Sequence, residues 1–491
     1  MTTNQILLAL TILLPLFGGI AISLIPESLE RLARPAALTL TGIVLASASA
    51  LWSQFNGSLP GMQFEFTRPW IPGLGTSFHL GVDGLSLPML WLTALLTFLA
   101  VIASRSISDR VRRYFTLLLL LEAGLCGVFV ALDLILFYLF WEVVLIPMYF
   151  LISIWGGPRR SYAAVKFFLY TLGGSLAMLA GILALYLACG GTTFDMAAVA
   201  AKAALLPVGT QTAIFIAIAV GLAVKVPIFP LHTWLPDAHV EAPTAVSVLL
   251  AGVLLKMGAY GFLRLGPGML PMGFSAIAPV LSILAVISIV YGAAVALVQS
   301  DLKKLVAYSS ISHMGYVMLG IAAGTTASIT GAGVQMFSHG LIAGLLFLLV
   351  GAVYERAHTR EIAAFGGIAK VTPVLAGTLV FASFASLGLP GLSGFIGEFL
   401  VLAGSFPVFP IVTVVAAVAV ILTVSYLLWM LRRVAFGPLN PNRADMPEMT
   451  LSEAMTMAPL CVLIVVIGVV PQTLVGVMQA AVANLVEMLG R

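Results

Sequence analysis

The sequence predicts an all-α polytopic membrane protein of about 14 transmembrane helices, with two inverted five-helix repeats that each contain a broken helix. Three observations carry this. The 491-residue chain is 61% hydrophobic and only 9% charged, with a mean hydropathy of +1.12, a balance that excludes an aqueous globule. Fourteen apolar stretches reach the roughly 20 residues that a bilayer crossing needs. Finally, lysine, glutamate and histidine side chains stand in the middle of several of these stretches.

The stretches lie near 5–25, 35–55, 84–104, 113–132, 133–155, 162–189, 211–229, 244–265, 273–299, 302–322, 325–352, 372–403, 408–431 and 451–471. They are numbered helices 1 to 14. Helix 1 follows an N-terminus without basic residues and is long enough to span, so a retained helix is expected rather than a cleaved signal. Short polar loops join most helices. The segment 55–82 is longer and Gly/Pro-rich. After helix 14, residues 473–491 repeat apolar side chains at helical spacing with few charges, which suits a helix along the membrane surface. The expected organisation is 1–112 for helices 1–3, 113–265 and 273–433 for the two repeats, and 434–491 for helix 14 and the tail.

Lys and Arg in the loops set orientation. The loops after odd-numbered helices carry 16 of the 23 basic residues, among them Arg105, Arg110, Arg159, Lys303, Arg356, Arg360 and Arg432. The opposite set carries Arg68, Lys202, Arg264 and Arg491. The odd loops are therefore expected in the cytoplasm and both termini outside. The net charge of +4 is spread over short loops and implies no nucleic-acid partner; membrane lipid is the surrounding expected. Cys126, Cys189 and Cys461 form no CxxC pair and no metal spacing, and read as small core residues.

Helix 4 begins near 113 and helix 9 near 273; helix 7 begins near 211 and helix 12 near 372. Both offsets are about 160 residues. Helix 7 is interrupted at VPIFPLHTW and helix 12 at SLGLPGLSG. Five helices per unit is odd, so the second copy enters the membrane from the other side. Inverted repeats with a broken helix in matching positions point to a transport site at the repeat interface. Helix 7 opens toward the cytoplasm and helix 12 outward, which gives two half-channels of opposite facing.

Charged groups at that depth are expensive and mark ion or proton paths. Glu142 lies about 13 Å into helix 5 and Lys225 about 21 Å into helix 7, at 1.5 Å per residue. Placed together, each keeps the other charged, and separating them changes the lysine's affinity for its proton. A direct or water-linked ion pair is expected, working as a proton switch or as a static packing device. Lys256 stands near the middle of helix 8. His313 and His339 stand in helices 10 and 11, where a group that titrates near neutrality suits a relay. A hydrogen-bonded core histidine and a bis-histidine haem site are the alternatives. Tyr308, Ser309, Ser310, Ser312 and Ser338 cluster around them in sequence, and hydroxyls favour water wires over haem. Glu398 follows the break in helix 12, apart from any fixed counter-charge, and is the expected outward release site. Lys166 is either a snorkelling lysine or a modulator of Lys225. Glu122 has no assigned role, and Asp133 is expected at the interface. His232, Asp237, His239 and Glu241 either shape a proton inlet or pack the loop.

The run KVPIFPLHTWLPDAHVEAPTAVSVLLAGVLLKMGAYG (225–261) resembles the signature of the antiporter-like subunits of respiratory complex I. FHLGVDGLSL (78–87), FWEVVLIPMYFLI (140–152), SHMGYVMLG (312–320), QMFSHGLIAGLLFLLVG (335–351) and LGLPGLSGFIGEFLVL (387–402) are similar to the same family in the same order. Glutamate at 398, where the L and N types usually carry lysine, resembles the M type, the counterpart of mitochondrial subunit 4. So do the HVEAPT loop and the stretch 354–360, and the chain has no room for the lateral helix of the L type. The resemblance implies a proton-translocating subunit of the bacterial inner membrane, with no cofactor or metal of its own. Flavin, iron–sulfur clusters and quinone are implied in partner subunits, and L- and N-type subunits as neighbours. It further implies that Glu142 and Lys225 form a modulating pair, Lys256, His313 and His339 a central axis, and Glu398 the terminal site. A subunit of a cation/proton antiporter or of a membrane-bound hydrogenase is the alternative, and a quinone- or haem-binding redox protein a more distant one.

Overall fold

A computed structural model describes residues 1–490; Arg491, the end of the expected tail, lies outside the described residues. Thirteen helices among them are long and apolar enough to cross a membrane. A fourteenth crossing is made in two pieces, Pro373–Ser386 and Ser393–Ser405, so all fourteen expected helices are present. Helices 8, 10 and 11 (Thr244–Leu265, Leu302–Ala323 and Thr326–Ala357) are almost wholly buried, whereas only about a third of the residues of helices 2, 13 and 14 are. The centre of the bundle is thus the set of helices that carries Lys256, His313 and His339.

Backbone chemistry explains the interruptions. In helix 7, Val208–Lys225 ends where Pro227 cannot donate to Ala223. The Ile228 N–H bonds the Ala223 carbonyl instead (3.1 Å), and the indole of Trp234 caps the Val224 carbonyl (2.9 Å). The Phe229 N–H finds the hydroxyl of Ser288 on helix 9 (2.9 Å). A short helix, Trp234–Glu241, follows the break where a loop was expected. In helix 12 the chain turns at Gly388 (φ +81) and Gly391 (φ +93), where a side chain would be strained.

Three features were not expected. Helix 5 is divided at Val144 into Leu134–Val143 and Leu145–Trp155, because Pro147 offers no N–H to the Val143 carbonyl. Helix 8 contains a π-helical turn at Leu250–Leu254, directly before Lys256. The long loop 55–82 is a β-hairpin, β1 (Gln63–Ile71) antiparallel to β2 (Thr76–Val82), closed at Gly75 with φ +67. Asp133 is the N-cap of helix 5, accepting from Ile135 and Leu136, and is joined to the hairpin through the Ser77 N–H (3.0 Å). The C-terminal helix Gln472–Met488 buries Leu474, Met478, Val482 and Leu485.

Candidate functional site

The buried ionisable groups form a row through the bundle, and close helix packing brings its middle together. A Cβ at Gly340 on helix 11 would meet the Gly252 carbonyl of helix 8 at 2.9 Å; only glycine lets these two helices approach so far. Lys256 and His339 lie beside this crossing, with Lys256 Nζ 2.7 Å from His339 Nδ1. Lys256 Nζ also donates to the Ala251 carbonyl. Ala251 belongs to the π-helical turn, so the local rewinding of helix 8 aims a carbonyl at the lysine; such turns recur at functional sites.

The row continues beyond His339. The rings of His339 and His313 are 5.6 Å apart, centroid to centroid. His313 Nδ1 is 2.8 Å from Glu398 Oε1, and its Nε2 is 3.1 Å from Ser386 Oγ at the end of the first half of helix 12. Gln335 Nε2 donates to the same carboxylate oxygen (3.2 Å). Glu398 is only 6% exposed. Expected apart from any fixed counter-charge, it is hydrogen-bonded to the titratable ring of His313. The break in helix 12 makes this possible, because it lets Ser386 and Glu398 approach His313 from two short helices.

Ser309 and Ser310 donate to the Val306 carbonyl, Ser312 to that of Ile289 and Ser338 to that of Ser393. Ser386 and Gln335, which do touch the row, carry no sequence signal that sets them apart from other polar residues of apolar helices.

Glu142 and Lys225 are not directly hydrogen-bonded to each other. Lys225 is 1% exposed, and its Nζ has no hydrogen-bond partner among the described residues. It lies over the Trp141 ring, 5.2 Å from the centroid, and 6.0 Å from that of Phe167. Glu142 Oε1 is likewise unpartnered. Lys225 Nζ and Glu142 Oε1 thus form no direct ion pair, and Glu142 remains the charged neighbour of Lys225.

The residues left open now have places. Lys166 pairs with Asp237 at 2.7 Å, tying helix 6 to the second half of broken helix 7. His232 packs against Phe229 and Tyr291. Glu241 accepts from the Arg159 N–H (2.9 Å). His239 is fully buried, stacks on Phe347 at 4.5 Å, and has both ring nitrogens unpartnered. Glu122 is wholly buried and unpartnered too. A group of His, Cys, Asp or Glu side chains arranged to hold a metal is not found among the described residues.

Comparison with known proteins places this arrangement. Residues 131–423 match the family of NADH:quinone oxidoreductase and Mrp antiporter transmembrane subunits. The NADH-quinone oxidoreductase subunit M of Rhodobacter capsulatus is 45% identical over 98% of this chain and 97% of its own. The chain belongs to the M-subunit family of NADH-quinone oxidoreductase. A chain of respiratory complex I from Thermus thermophilus superposes with a TM-score of 0.90 at 33% identity, covering 99% of this chain and all of that one. A chain of the Mrp complex from Dietzia sp. shares the fold (TM-score 0.86, 22% identity, 99% and 98% covered). As a member of the M-subunit family, the protein is a multi-pass membrane subunit of a quinone oxidoreductase complex, and the relatives' names separate it from the antiporter alternative.

Proposed function

We propose that this chain carries protons from the cytoplasm to the outside through Lys256, His339, His313 and Glu398, driven by quinone reduction in other subunits. One observation carries the reading. Four buried titratable side chains from helices 8, 10, 11 and 12 follow one another through the bundle, linked by contacts of 2.7 and 2.8 Å and one ring-to-ring step of 5.6 Å. Buried ionisable groups are costly and persist where they serve transport. Histidine between a lysine and a carboxylate suits stepwise transfer.

Glu142 and Lys225 act upstream in this reading. Their separation is the open arrangement of a switch whose closed arrangement is an ion pair. The units 113–265 and 273–433 are inverted repeats, flanked by 1–112 and 434–491, with the break in helix 7 facing the cytoplasm and that in helix 12 facing outward. Sixteen basic residues in the odd loops support a cytoplasmic placement of those loops, both termini outside, and residence in a bacterial inner membrane. Flavin, iron–sulfur and quinone chemistry belongs to partner subunits, and L- and N-type subunits are its neighbours in the membrane.

The test is proton pumping by the assembled complex in proteoliposomes, measured alongside quinone reduction, with Lys256→Met. Pumping should fall by about tenfold or more. Full pumping by a correctly assembled Lys256→Met complex would remove Lys256 from the path.

A further inference from the structure

We propose that Gln335 positions Glu398 for proton exchange with His313, its amide serving the carboxylate through the NH2 group and the protonated acid through the carbonyl oxygen. The inference rests on the reading of Glu398 as the last carrier of the path and adds the residue that holds it. Exchange changes what Glu398 requires of its surroundings. The carboxylate only accepts hydrogen bonds, whereas the acid carries an O–H that must donate. A buried group left without a partner in either state is costly. The site therefore needs a neighbour that can do both.

Gln335 has the required form. It is 2% exposed, and its Nε2 donates to Glu398 Oε1 at 3.2 Å. Its own Oε1 is buried without a hydrogen-bond partner among the described residues. The last torsion of a glutamine is roughly two-fold, so a half-turn of the amide exchanges donor for acceptor at one place. The spare acceptor thus stands next to the atom that receives the proton from His313.

The backbone around Gln335 fixes that place. A Cβ at Gly397 would meet Gln335 Oε1 at 2.5 Å and its Cα at 2.8 Å, and one at Gly331 would meet the Val401 nitrogen at 2.5 Å. Gly404 is pressed on the Ser328 backbone in the same way. Glycine at these crossings lets the second half of helix 12 lie directly on helix 11, which brings residues 335 and 398 into register. Glu398 Oε2 lies instead beside the turn of the break, where a Cβ at Gly388 would approach it to 3.4 Å. Tyr316 of helix 10 and Tyr426 of helix 13 are its other titratable neighbours.

Protonated His313 gives the proton on Nδ1 to Glu398 Oε1. The N–H bond breaks, the O–H bond forms, and imidazolium and carboxylate become imidazole and acid. The new O–H donates to Gln335 Oε1 once the amide has turned. Loss of the proton to water on the outer side restores the carboxylate, and the amide turns back.

Gln335→Met keeps the volume and removes both donor and acceptor, while Gln335→Asn keeps the amide but withdraws it by one methylene. Pumping by the assembled complex in proteoliposomes is measured with each, beside Glu398→Gln, together with reduced-minus-oxidised infrared difference spectra. Pumping should fall at least about threefold in both Gln335 variants. The carboxylic acid band that Glu398→Gln abolishes should move to higher wavenumber in them, as expected of an acid that has lost a hydrogen bond. Normal pumping by a Gln335 variant while Glu398→Gln fails, or lost pumping with the acid band unmoved, overturns the proposal and leaves the terminal site standing. Normal pumping by Glu398→Gln overturns the reading beneath it. Should neither Gln335 variant assemble, the wild-type complex isotopically labelled at its glutamine amide carbons decides. The absence of a glutamine band accompanying the acid band overturns the proposal.

Discussion

Glu398 and His313, 85 residues apart in the chain, meet at 2.8 Å between Oε1 and Nδ1. Ser386 approaches the other edge of the same ring at 3.1 Å. The broken helix 12 therefore delivers a carboxylate and a hydroxyl to opposite sides of one imidazole. A continuous helix would hold residues 386 and 398 about 18 Å apart along its axis, and both contacts would be impossible. The break is what brings these two side chains together.

Glu398→Gln preserves the shape of this contact and its hydrogen bond from Gln335, but removes the proton. Pumping should fall by about tenfold or more in an assembled complex. Glu398→Lys restores a titratable group beside His313 and should keep a substantial part of the activity. Measured in proteoliposomes, equal pumping by wild type and the glutamine variant would make Glu398 a packing residue.

Lys225 is held over Trp141 rather than paired with Glu142. Lys225→Ala should abolish most pumping and coupled quinone reduction, and Lys225→Arg should do little better, because arginine keeps its proton. Trp141→Leu removes a cation–π contact worth about 0.5–2 kcal/mol. That change should bias Lys225 toward Glu142 and slow turnover without blocking assembly. Turnover of the leucine variant at the wild-type rate would show that Trp141 does not hold the switch.

Much of this site was legible in the chain itself. Span length is a local property, so fourteen crossings could be counted from runs of apolar residues, and proline and glycine marked both long breaks. The deep positions of Lys225, Lys256, His313, His339 and Glu398 needed only the position of each residue within its run. What was not legible depends on direction and on neighbours from distant helices. That the Lys225 ammonium lies over Trp141 depends on how helix 5 packs against helix 7. Ser386 and Gln335 are ordinary polar residues until helices 10, 11 and 12 pack. The π-helical turn at Leu250–Leu254 has no residue signature in LAGVL. The hairpin did have one, Phe64 and Phe66 alternating on β1 with Phe78 and Leu80 on β2, but proline and glycine in the same segment concealed it.

At the predicted outer end of helix 8, Arg264 and Asp83 form a buried ion pair at 2.5 Å, with Arg264 Nε also donating to the Tyr260 hydroxyl (2.9 Å). Arg264→Met leaves the Asp83 carboxylate without its counter-charge. Removing one partner of such a pair costs roughly 3–5 kcal/mol. Thermal unfolding of the purified chain should begin markedly earlier, and the double variant Asp83→Asn, Arg264→Met should recover part of the loss. A midpoint unchanged by the single variant would show the pair to be stabilised elsewhere.

His79 on β2 offers a pH test. Its Nδ1 lies 2.7 Å from Asp195, the N-cap of the helix Met196–Ala203, and its Nε2 3.1 Å from Glu65 on β1. The Asp195 hydrogen bond raises its pKa above the ordinary 6.5; partial burial opposes this and Glu65 adds to it. A pKa raised in the folded state means that protonation stabilises the fold. The contribution is complete below the unfolded value near 6.5 and is lost as pH rises through the folded value. The clamp between the hairpin and the helix Met196–Ala203 should therefore loosen as pH increases above neutrality. Hydrogen exchange of residues 63–82 should accelerate over that range in wild type. In His79→Gln it should be fast throughout, with no such step, after correction for the intrinsic pH dependence of exchange. An identical pH profile in both proteins would show that Asp195 and Glu65 hold His79 in place without sensing its charge.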